Sequence, residues 1–296
     1  MTDGTLTRSY GRVFNEVAAE YDRHRPAYPD VLVDHACKLA RLGAGDRVLE
    51  VGCGSGQLTG SLLARGLRVT ALEPGDRLLA IARERLENAG EVEFVHARLE
   101  DAQLGRESYR AVFSASAIHW TDPDVSWRRI ADVLAADGIV ALIQYFGLRE
   151  ERSGDDQEEL LAVLRGHAPE LAADWPAYRD LEGTIAGVRE RRHNVAEAWG
   201  WLGSYDLGRD YAAALFEDAQ FASAPKLVEH TAEELNAVLG TLSFWARLSV
   251  EQRKAIASDN LALYERLGRP IRASTLAGLL TARRRGREVA GSSSGR

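Results

Sequence analysis

Residues 46–66, DRVLEVGCGSGQLTGSLLARG, contain the stretch that decides the fold. The apolar run at 46–52 lies between a turn and a glycine, which predicts a buried strand, and the apolar spacing at 56–66 predicts a helix. Gly52, Gly54 and Gly56 form the turn between them. Glycine lets a backbone approach a ligand closely and leaves N–H donors exposed where a helix begins. The stretch therefore predicts an α/β fold with a ligand site at this turn.

The alternation of strand and helix continues through the first half of the chain. Further strands are predicted at 67–75, 91–95, 110–116 and 139–146, with helices at 29–45, 76–90 and 122–138. Such alternation implies right-handed crossovers and a parallel sheet that is covered on both faces. Ligands of these sheets bind outside the carboxyl ends of the strands. The loops where a site is expected are therefore 52–57, 73–76, 96–101 and 116–122.

The pattern changes near residue 147, and five segments are predicted. They are a leader at 1–30, a ligand-binding Rossmann-like core at 31–149, a mostly helical insert at 150–215, a segment at 216–286 that completes the sheet, and a disordered tail at 287–296. Beyond the core, helices are predicted at 156–175, 231–240 and 250–268, and a closing strand at 271–284. The insert is rich in aromatic residues, which either cover a substrate as a lid or form the core of the insert. They are Trp175, Tyr178, Trp199, Trp201 and Tyr205.

Composition limits the classes of partner. The chain has 296 residues and a formal net charge of -7, which argues against a nucleic-acid partner because phosphates are neutralised by a basic face. No apolar run is long enough to span a bilayer, and Cys37 and Cys53 are too few for a disulfide framework or a thiolate metal site. We expect a cytoplasmic protein that acts on a small molecule, with no nucleic acid, membrane or metal as partner. The basic stretch at 282–287 is expected to be the solvated end of the last strand.

The spacing of the glycines disfavours a dinucleotide. The Gly-x-Gly-x-x-Gly fingerprint would require a third glycine at position 57, which is Gln57. Glycines at alternate positions, with Glu50 two residues before the first, suit a ligand without a pyrophosphate that packs flat against the turn. Glu73 ends the second strand, where a carboxylate can accept two hydrogen bonds from a ribose diol. The alternative for Glu73 is a solvent-exposed loop acid.

Several motifs resemble, in order and spacing, those of class I S-adenosylmethionine-dependent methyltransferases. They are VLEVGCGSGQLT at 48–59, ALEPG at 71–75, ARLED at 97–101, SASAIHW at 114–120 and LAADGIVALIQY at 134–145. The resemblance is strong over residues 13–146. Within the class, the leader FNEVAAEYDRHRPAYP at 14–29 and the TLS at 241–243 resemble the small-molecule branch that includes trans-aconitate and juvenile-hormone-acid methyltransferases.

The resemblance implies a seven-stranded sheet with the last strand antiparallel, and S-adenosylmethionine as cofactor. It also implies places for the cofactor's parts: the glycine turn for the amino acid, the loop of Glu73 and Pro74 for the ribose, and the backbone around Leu99 with Glu100 for the adenine. Ser116, at the end of the fourth predicted strand, is expected in the same site. Many relatives carry an acid for the adenine amine where this chain has Arg98. Either Glu100 or Asp101 replaces that acid, or backbone and water bind the amine.

The leader supplies two further candidates. Tyr21 and Arg25, four residues apart, share a helix face if the leader is helical up to His24, and Pro26 ends the helix. Arg25 could pair with the cofactor's carboxylate, and Tyr21 could close over its methyl-donating end. The alternative is that both side chains only pin the leader to the sheet.

His119 and Trp120 are the candidates for the chemistry. A carboxylate acceptor is already nucleophilic and needs only donors to orient it, such as the Trp120 indole. A hydroxyl or protonated amine has to lose a proton, which His119 could take. Alternatively, His119 bonds a backbone carbonyl and Trp120 is an aromatic plug over the glycine turn.

The predicted function is methyl transfer from S-adenosylmethionine to a small carboxylate, hydroxyl or amine. Two rivals are kept open. One is a protein of this fold that binds the cofactor but acts as a cyclase or another non-methylating enzyme. The other is a nicotinamide-dependent oxidoreductase, against which Gln57 argues.

Overall fold

The computed structural model describes residues 13–173, 175 and 178–286, and within them one seven-stranded sheet. The strands are β1 (Arg47–Val51), β2 (Arg68–Leu72), β3 (Val92–Val95), β4 (Tyr109–Ala115), β5 (Leu134–Gly147), β6 (Phe216–His230) and β7 (Ile271–Arg284). Their order across the sheet is β3-β2-β1-β4-β5-β7-β6, and β7 runs antiparallel to both of its neighbours. The predicted sheet of seven strands with an antiparallel last strand is confirmed.

Thirteen α-helices accompany the sheet in the described part of the chain. They are α1 (Val13–Glu16), α2 (Ala18–His24), α3 (Asp30–Leu39), α4 (Gln57–Leu63), α5 (Asp76–Leu86), α6 (Pro123–Val133), α7 (Asp156–His167), α8 (Pro169–Ala173), α9 (Leu181–Arg191), α10 (Val195–Gly203), α11 (Ala212–Leu215), α12 (Ala232–Gly240) and α13 (Val250–Leu267). A 3₁₀ turn at Ile118–Trp120 follows β4. The helices α7 to α11 lie between β5 and β6 in the chain.

Local chemistry sets where several helices begin and end. Asp122 caps α6 by accepting from the Asp124 N–H, with Pro123 at the first helical position. Capping boxes begin α12 and α13, and Gly268 ends α13 in the left-handed region. These signals are local, which explains why the helices predicted at 231–240 and 250–268 match α12 and α13 closely.

The core lies on both faces of the sheet, as expected of parallel strands covered by helices. Val48 of β1 packs with α3, α4 and α5 on one face, whereas Leu49 packs with α6 and α10 on the other. The long β5 places Val140 and Leu142 on the second of these faces. The carboxyl ends of β1, β2 and β4 consequently open at one edge, where the glycine turn lies.

Two expectations need correction, and one strand has no predicted bounds. The strand β6 lies in the segment at 216–286 that is predicted to complete the sheet, but its burial alternates weakly and it carries Pro225, so the residues do not indicate where it begins and ends; among the described strands it pairs with β7 alone, at the edge of the sheet. The helix predicted at 156–175 breaks after His167, since Pro169 starts a separate short helix. The end of the last strand is not wholly solvated, because buried Arg284 donates to the Leu134 carbonyl. Residues 1–12 of the leader and the tail at 287–296 lie outside the described residues.

Candidate active site

The glycine turn after β1 adopts a conformation that other residues avoid. Gly52, Gly54 and Gly56 have φ values of 72°, 57° and 91°, all in the left-handed region. A Cβ at Gly52 would lie 2.4 Å from the Ala117 Cβ, and one at Gly56 would lie 2.8 Å from Leu86 Cδ1. The turn is therefore packed against both the loop after β4 and helix α5, and only glycine fits at these two positions.

Glu73 lies at the carboxyl end of β2 beside this turn. One carboxylate oxygen accepts from the Gly54 N–H at 2.9 Å, and the other accepts from the Gly75 N–H at 2.8 Å. The side chain is buried, so the alternative of a solvent-exposed loop acid is wrong. Burial raises the pKa of Glu73, and the two backbone donors partly oppose that rise. Each oxygen retains a second lone pair with which to accept from a ligand.

Glu50 has a different place from the one its position before the glycines suggests. It is buried in β1 and accepts from the Thr59 hydroxyl at 2.7 Å, which fastens α4 to the strand. Burial raises its pKa to about 7, while the Thr59 hydrogen bond acts in the opposite direction. Among the described residues, Glu50 therefore supports the glycine turn through α4. It makes no described contact on the side of the turn where a ligand would bind.

The loop after β3 places its two acidic side chains, Glu100 and Asp101, in different environments. Glu100 accepts from the Asp122 N–H at 2.6 Å with one oxygen, while its other oxygen is buried and has no hydrogen-bond partner in the described part of the chain. Asp101 pairs with Arg98 at 2.8 Å, and its side chain is 61% exposed. Leu99 is buried, and its carbonyl accepts from Arg129. Of the two acids, Glu100 is the one with an unused buried acceptor.

The loop after β2 is held by residues from outside it. The Pro74 carbonyl lies 2.9 Å from His96 Nε2, at the end of β3. Asn15, in the leader, accepts from the Arg77 N–H at 2.8 Å and donates to Asp76 at 2.8 Å. Helix α5, whose N-cap residue Gly75 has no side chain to accept from the first turn, is thus capped by the leader.

The leader lies across the glycine turn. Helix α2 ends at His24, as predicted, and Tyr21 packs over Gly54. The Arg25 guanidinium lies 5.0 Å from the centre of the Tyr21 ring, and its Nη2 donates to the Thr241 carbonyl at 2.9 Å. Its Nε is buried without a hydrogen-bond partner among the described residues. Both side chains therefore reach the site that the strand ends define.

A cavity of about 160 Å³ lies between the leader, the end of β4 and the insert. We call it the aromatic cavity because seven of its fourteen lining residues carry aromatic rings. Its lining residues are Phe14, Tyr21, Arg25, Pro26, Tyr28, Gln57, Ser116, His119, Trp120, Gln144, Tyr145, Tyr205, Leu242 and Ser243. The cavity brings together the leader residues and the residues after β4 that the sequence suggested.

His119 is enclosed in this cavity. Its ring stacks on Tyr205 with centres 4.2 Å apart and planes 6° apart, and its Nδ1 is buried without a partner in the described part of the chain. Burial, and then the positive charge of Arg25, lower the pKa of His119 to about 3. The ring is therefore neutral at physiological pH and a weak base.

Trp120 and Ser116 flank His119. The Trp120 ring packs edge-on against Phe14 at 5.6 Å and lies 4.6 Å from the His119 ring. Ser116, with a φ of 51°, contacts the Tyr28 hydroxyl at 3.1 Å. A residue other than glycine in the left-handed region is strained, and such strain is concentrated at functional sites.

Most of the aromatic residues predicted in the insert pack against other side chains and do not line the cavity. Trp199 is fully buried in the core, and Trp175 packs edge-on against Phe244 at 5.0 Å. Trp201 lies beneath the Arg179 guanidinium at 4.1 Å. Tyr205 alone among the five predicted residues lines the aromatic cavity.

Sequence reasoning missed several cavity residues because they come from distant segments. Gln144 lies inside the predicted fifth strand, where its neighbours are apolar, and Tyr28 follows the leader helix. A polar Gln in an otherwise apolar buried strand is the one signal that could have identified Gln144.

Part of the chain is similar to known methyltransferases. A family model described as a methyltransferase domain matches residues 49–142, which run from β1 to β5 and include the glycine turn. Over these residues the chain has a methyltransferase domain, and its sheet has the class I methyltransferase fold. The chain is 33% identical, over 48% of its length, to an uncharacterized methyltransferase of Mycobacterium tuberculosis, of which 54% is covered. It thus spans about half the length of the first curated relatives it matches.

Two further matches extend over more of the chain. It is 26% identical to the demethylmenaquinone methyltransferase of Clavibacter sepedonicus, over 67% of this chain and 80% of that protein. A provisionally assigned type II methyltransferase from Anaeromyxobacter dehalogenans has a solved structure with a TM-score of 0.55 and 24% identity. That match covers 88% of this chain and 97% of the other, and it shows a shared fold.

Proposed function

We propose that this chain transfers the methyl group of S-adenosylmethionine to a small molecule held in the aromatic cavity. The observation that carries the proposal is that Arg25 and the residues after β4 line one cavity beside the glycine turn, to which Tyr21 of the cavity wall connects by packing on Gly54. The cofactor, when bound, supplies an electrophilic methyl group on a sulfonium. The protein then has to hold the acceptor in line with that methyl, and positioning of this kind contributes much of such a reaction's acceleration.

The residues present fit the parts of the cofactor. Arg25 has a buried, unpartnered Nε and no ion pair with an acid in the described part of the chain, so it suits the cofactor's carboxylate. Glu73 suits the ribose hydroxyls, since both of its oxygens can accept a further hydrogen bond. Glu100 suits the adenine amine, because its buried free oxygen needs a donor. Asp101 is left facing solvent.

We infer that the acceptor atom is a carboxylate oxygen. An acceptor hydroxyl or ammonium has to lose a proton, and a general base works best when its pKa is near the operating pH. With its pKa lowered to about 3, His119 is poorly matched to that task. A carboxylate needs no base, and the Trp120 indole and neighbouring donors can orient it.

Carbon methylation is the second candidate, because one relative is named as a demethylmenaquinone methyltransferase. Ring-carbon methylation of a quinol also requires loss of a proton, which again disfavours it here. Incubation with S-adenosylmethionine and both classes of acceptor, followed by mass spectrometry, separates the two. A methyl ester is expected, and a product stable to mild base hydrolysis would contradict the carboxylate assignment.

Cofactor binding is tested through Arg25. Calorimetry should show that S-adenosylhomocysteine binds more tightly than 5′-methylthioadenosine, which lacks the amino-acid part, and that Arg25→Gln removes most of this preference. The matched control is Arg23→Gln, two residues earlier in α2, because Arg23 is exposed and pairs only with Glu20 among the described residues. Stabilisation by a nicotinamide dinucleotide but not by S-adenosylhomocysteine would overturn the proposal. Product formed without S-adenosylhomocysteine would instead indicate a non-methylating enzyme.

A further inference from the structure

Two polar side chains meet in the wall of the aromatic cavity on the side of the insert. Gln144 of β5 donates from its amide nitrogen to the Tyr205 hydroxyl oxygen. The amide oxygen of Gln144 is buried and has no hydrogen-bond partner in the part of the chain that the structure describes. Because buried polar atoms are normally paired, an unpaired one beside a cavity indicates a missing ligand group.

The Tyr205 hydroxyl offers the complementary half of this pair. Its oxygen accepts from Gln144, so its own proton remains available to donate. Burial raises the pKa of Tyr205 to about 12, which keeps the proton in place at physiological pH. A donor and an acceptor therefore stand side by side in the wall of the cavity.

The chain is built to hold Tyr205 in this position. Ser204 adopts the left-handed region with a φ of 57°, and the Tyr205 N–H donates to the Gly200 carbonyl at 2.8 Å. A Cβ at Gly203 would lie 2.1 Å from the Tyr205 ring, so only glycine leaves room for the ring there. The ring in turn stacks on His119 and fixes its plane.

We propose that Gln144 and Tyr205 determine acceptor specificity by binding a second group of the acceptor, one that both donates and accepts a hydrogen bond. A hydroxyl or a primary carboxamide meets both requirements. A second carboxylate does not, because it would face the Gln144 oxygen with a lone pair. The acceptor class is thus a small planar acid that carries a hydroxyl or carboxamide, and planarity suits the aromatic walls. This inference rests on the proposed function.

The test uses matched probes on the protein saturated with S-adenosylhomocysteine. Calorimetry compares benzoate with the three hydroxybenzoate isomers and the three carbamoylbenzoate isomers. One net hydrogen bond contributes about 1 kcal/mol, so at least one substituted isomer should bind about fivefold to tenfold more tightly than benzoate.

Three variants should remove that preference while leaving affinity for S-adenosylhomocysteine unchanged. Tyr205→Phe removes the donor and keeps the stacked ring, and Gln144→Met removes the acceptor. Gly203→Ala removes no polar atom but displaces the ring, so it should act in the same direction.

The chain offers two matched controls. Gly166→Ala places the same methyl group in a helix where nothing lies within 4 Å. Tyr211→Phe removes another tyrosine hydroxyl near the insert's end, one that donates to the Pro123 carbonyl and does not line the cavity. Both should retain the preference of the wild type.

The outcomes separate this inference from the proposed function. If the wild-type protein does not bind S-adenosylhomocysteine, the proposed function itself is contradicted. Binding of S-adenosylhomocysteine without any preference for a hydroxylated or amidated probe would overturn only this inference, including the case in which no probe binds. Preference that survives in Tyr205→Phe and Gln144→Met would overturn it as well.

Discussion

The glycine turn and the aromatic cavity are adjacent but are built in opposite ways. The turn is made by residues close in sequence, and its shape depends on backbone conformation, as the left-handed φ values at Gly52, Gly54 and Gly56 show. The cavity draws side chains from the leader, β5 and the insert, such as Arg25, Gln144 and Tyr205. We infer that local backbone geometry sets the cofactor's place at the turn, whereas long-range packing sets acceptor choice and brings Arg25 to the cofactor's carboxylate.

The largest expected effect comes from a substitution that disrupts the glycine turn. Gly52→Ala combines a left-handed φ with a 2.4 Å approach to Ala117, so the free energy of unfolding should fall by about 2–5 kcal/mol. Affinity for S-adenosylhomocysteine should fall by more than about 100-fold, since about 3 kcal/mol of strain falls on the binding backbone. Chemical denaturation and calorimetry measure the two effects.

Gly45→Ala is the control for Gly52→Ala. Gly45 also has a positive φ of 84°, but nothing lies within 4 Å of its Cβ position. It should lose only about 1–2 kcal/mol and should keep cofactor affinity. Equal losses of affinity in both variants would show that the close approach to Ala117 is irrelevant.

The second prediction concerns Glu50, which supports the turn. Its folded pKa, raised to about 7 from about 4.5, means that ionisation above pH 7 costs the folded state about 3 kcal/mol. Glu50→Gln should therefore raise the free energy of unfolding at pH 8 and change it little at pH 4. Affinity for S-adenosylhomocysteine at pH 5 should stay within about twofold, because the described contacts of Glu50 are structural. A large loss of affinity at that pH would place Glu50 in direct contact with the cofactor.

The third prediction concerns His119 in the cavity. Its folded pKa, about 3, lies below the unfolded value near 6.5, so the unfolded state takes up a proton first as the pH falls. Titration of His119 should lower the free energy of unfolding of the wild type by about 2 kcal/mol when the pH falls from 7 to 5. The His119→Gln variant should lack this decrease. Denaturation curves at several pH values measure the slope. An unchanged slope in the variant would mean that His119 titrates normally.

The smallest expected effect compares the two acids of the third loop. Glu100→Gln should weaken S-adenosylhomocysteine binding about tenfold, since a charge-assisted hydrogen bond contributes about 1.5–3 kcal/mol and part of it survives in the amide. Asp101→Asn should change binding by less than about twofold, because Asp101 pairs with Arg98 in solvent. The reverse ranking would exchange their roles.

The sequence predicts features that depend on neighbouring residues and does not predict contacts between distant segments. The spacing at 46–66 predicted β1, the glycine turn and α4, because each of these elements is determined by residues that are close together in sequence. The edge strand β6 escaped because its burial comes from β7, which is distant in sequence. In the same way, Gln144 and Tyr205 meet across 61 positions, and no local pattern encodes that contact.

Within the described residues, none of the helices combines the length and apolar character needed to cross a bilayer. The same residues hold no cluster of three or more His, Cys, Asp or Glu side chains placed to bind a metal ion.

The most direct test is a methyl-transfer assay with S-adenosylmethionine carrying a deuterated methyl group and a panel of small acids, read by mass spectrometry. We expect equal amounts of S-adenosylhomocysteine and of a deuterated methyl ester, with hydroxylated or amidated acids preferred. Formation of either product without the other, or transfer of the label to carbon or nitrogen, would contradict the account.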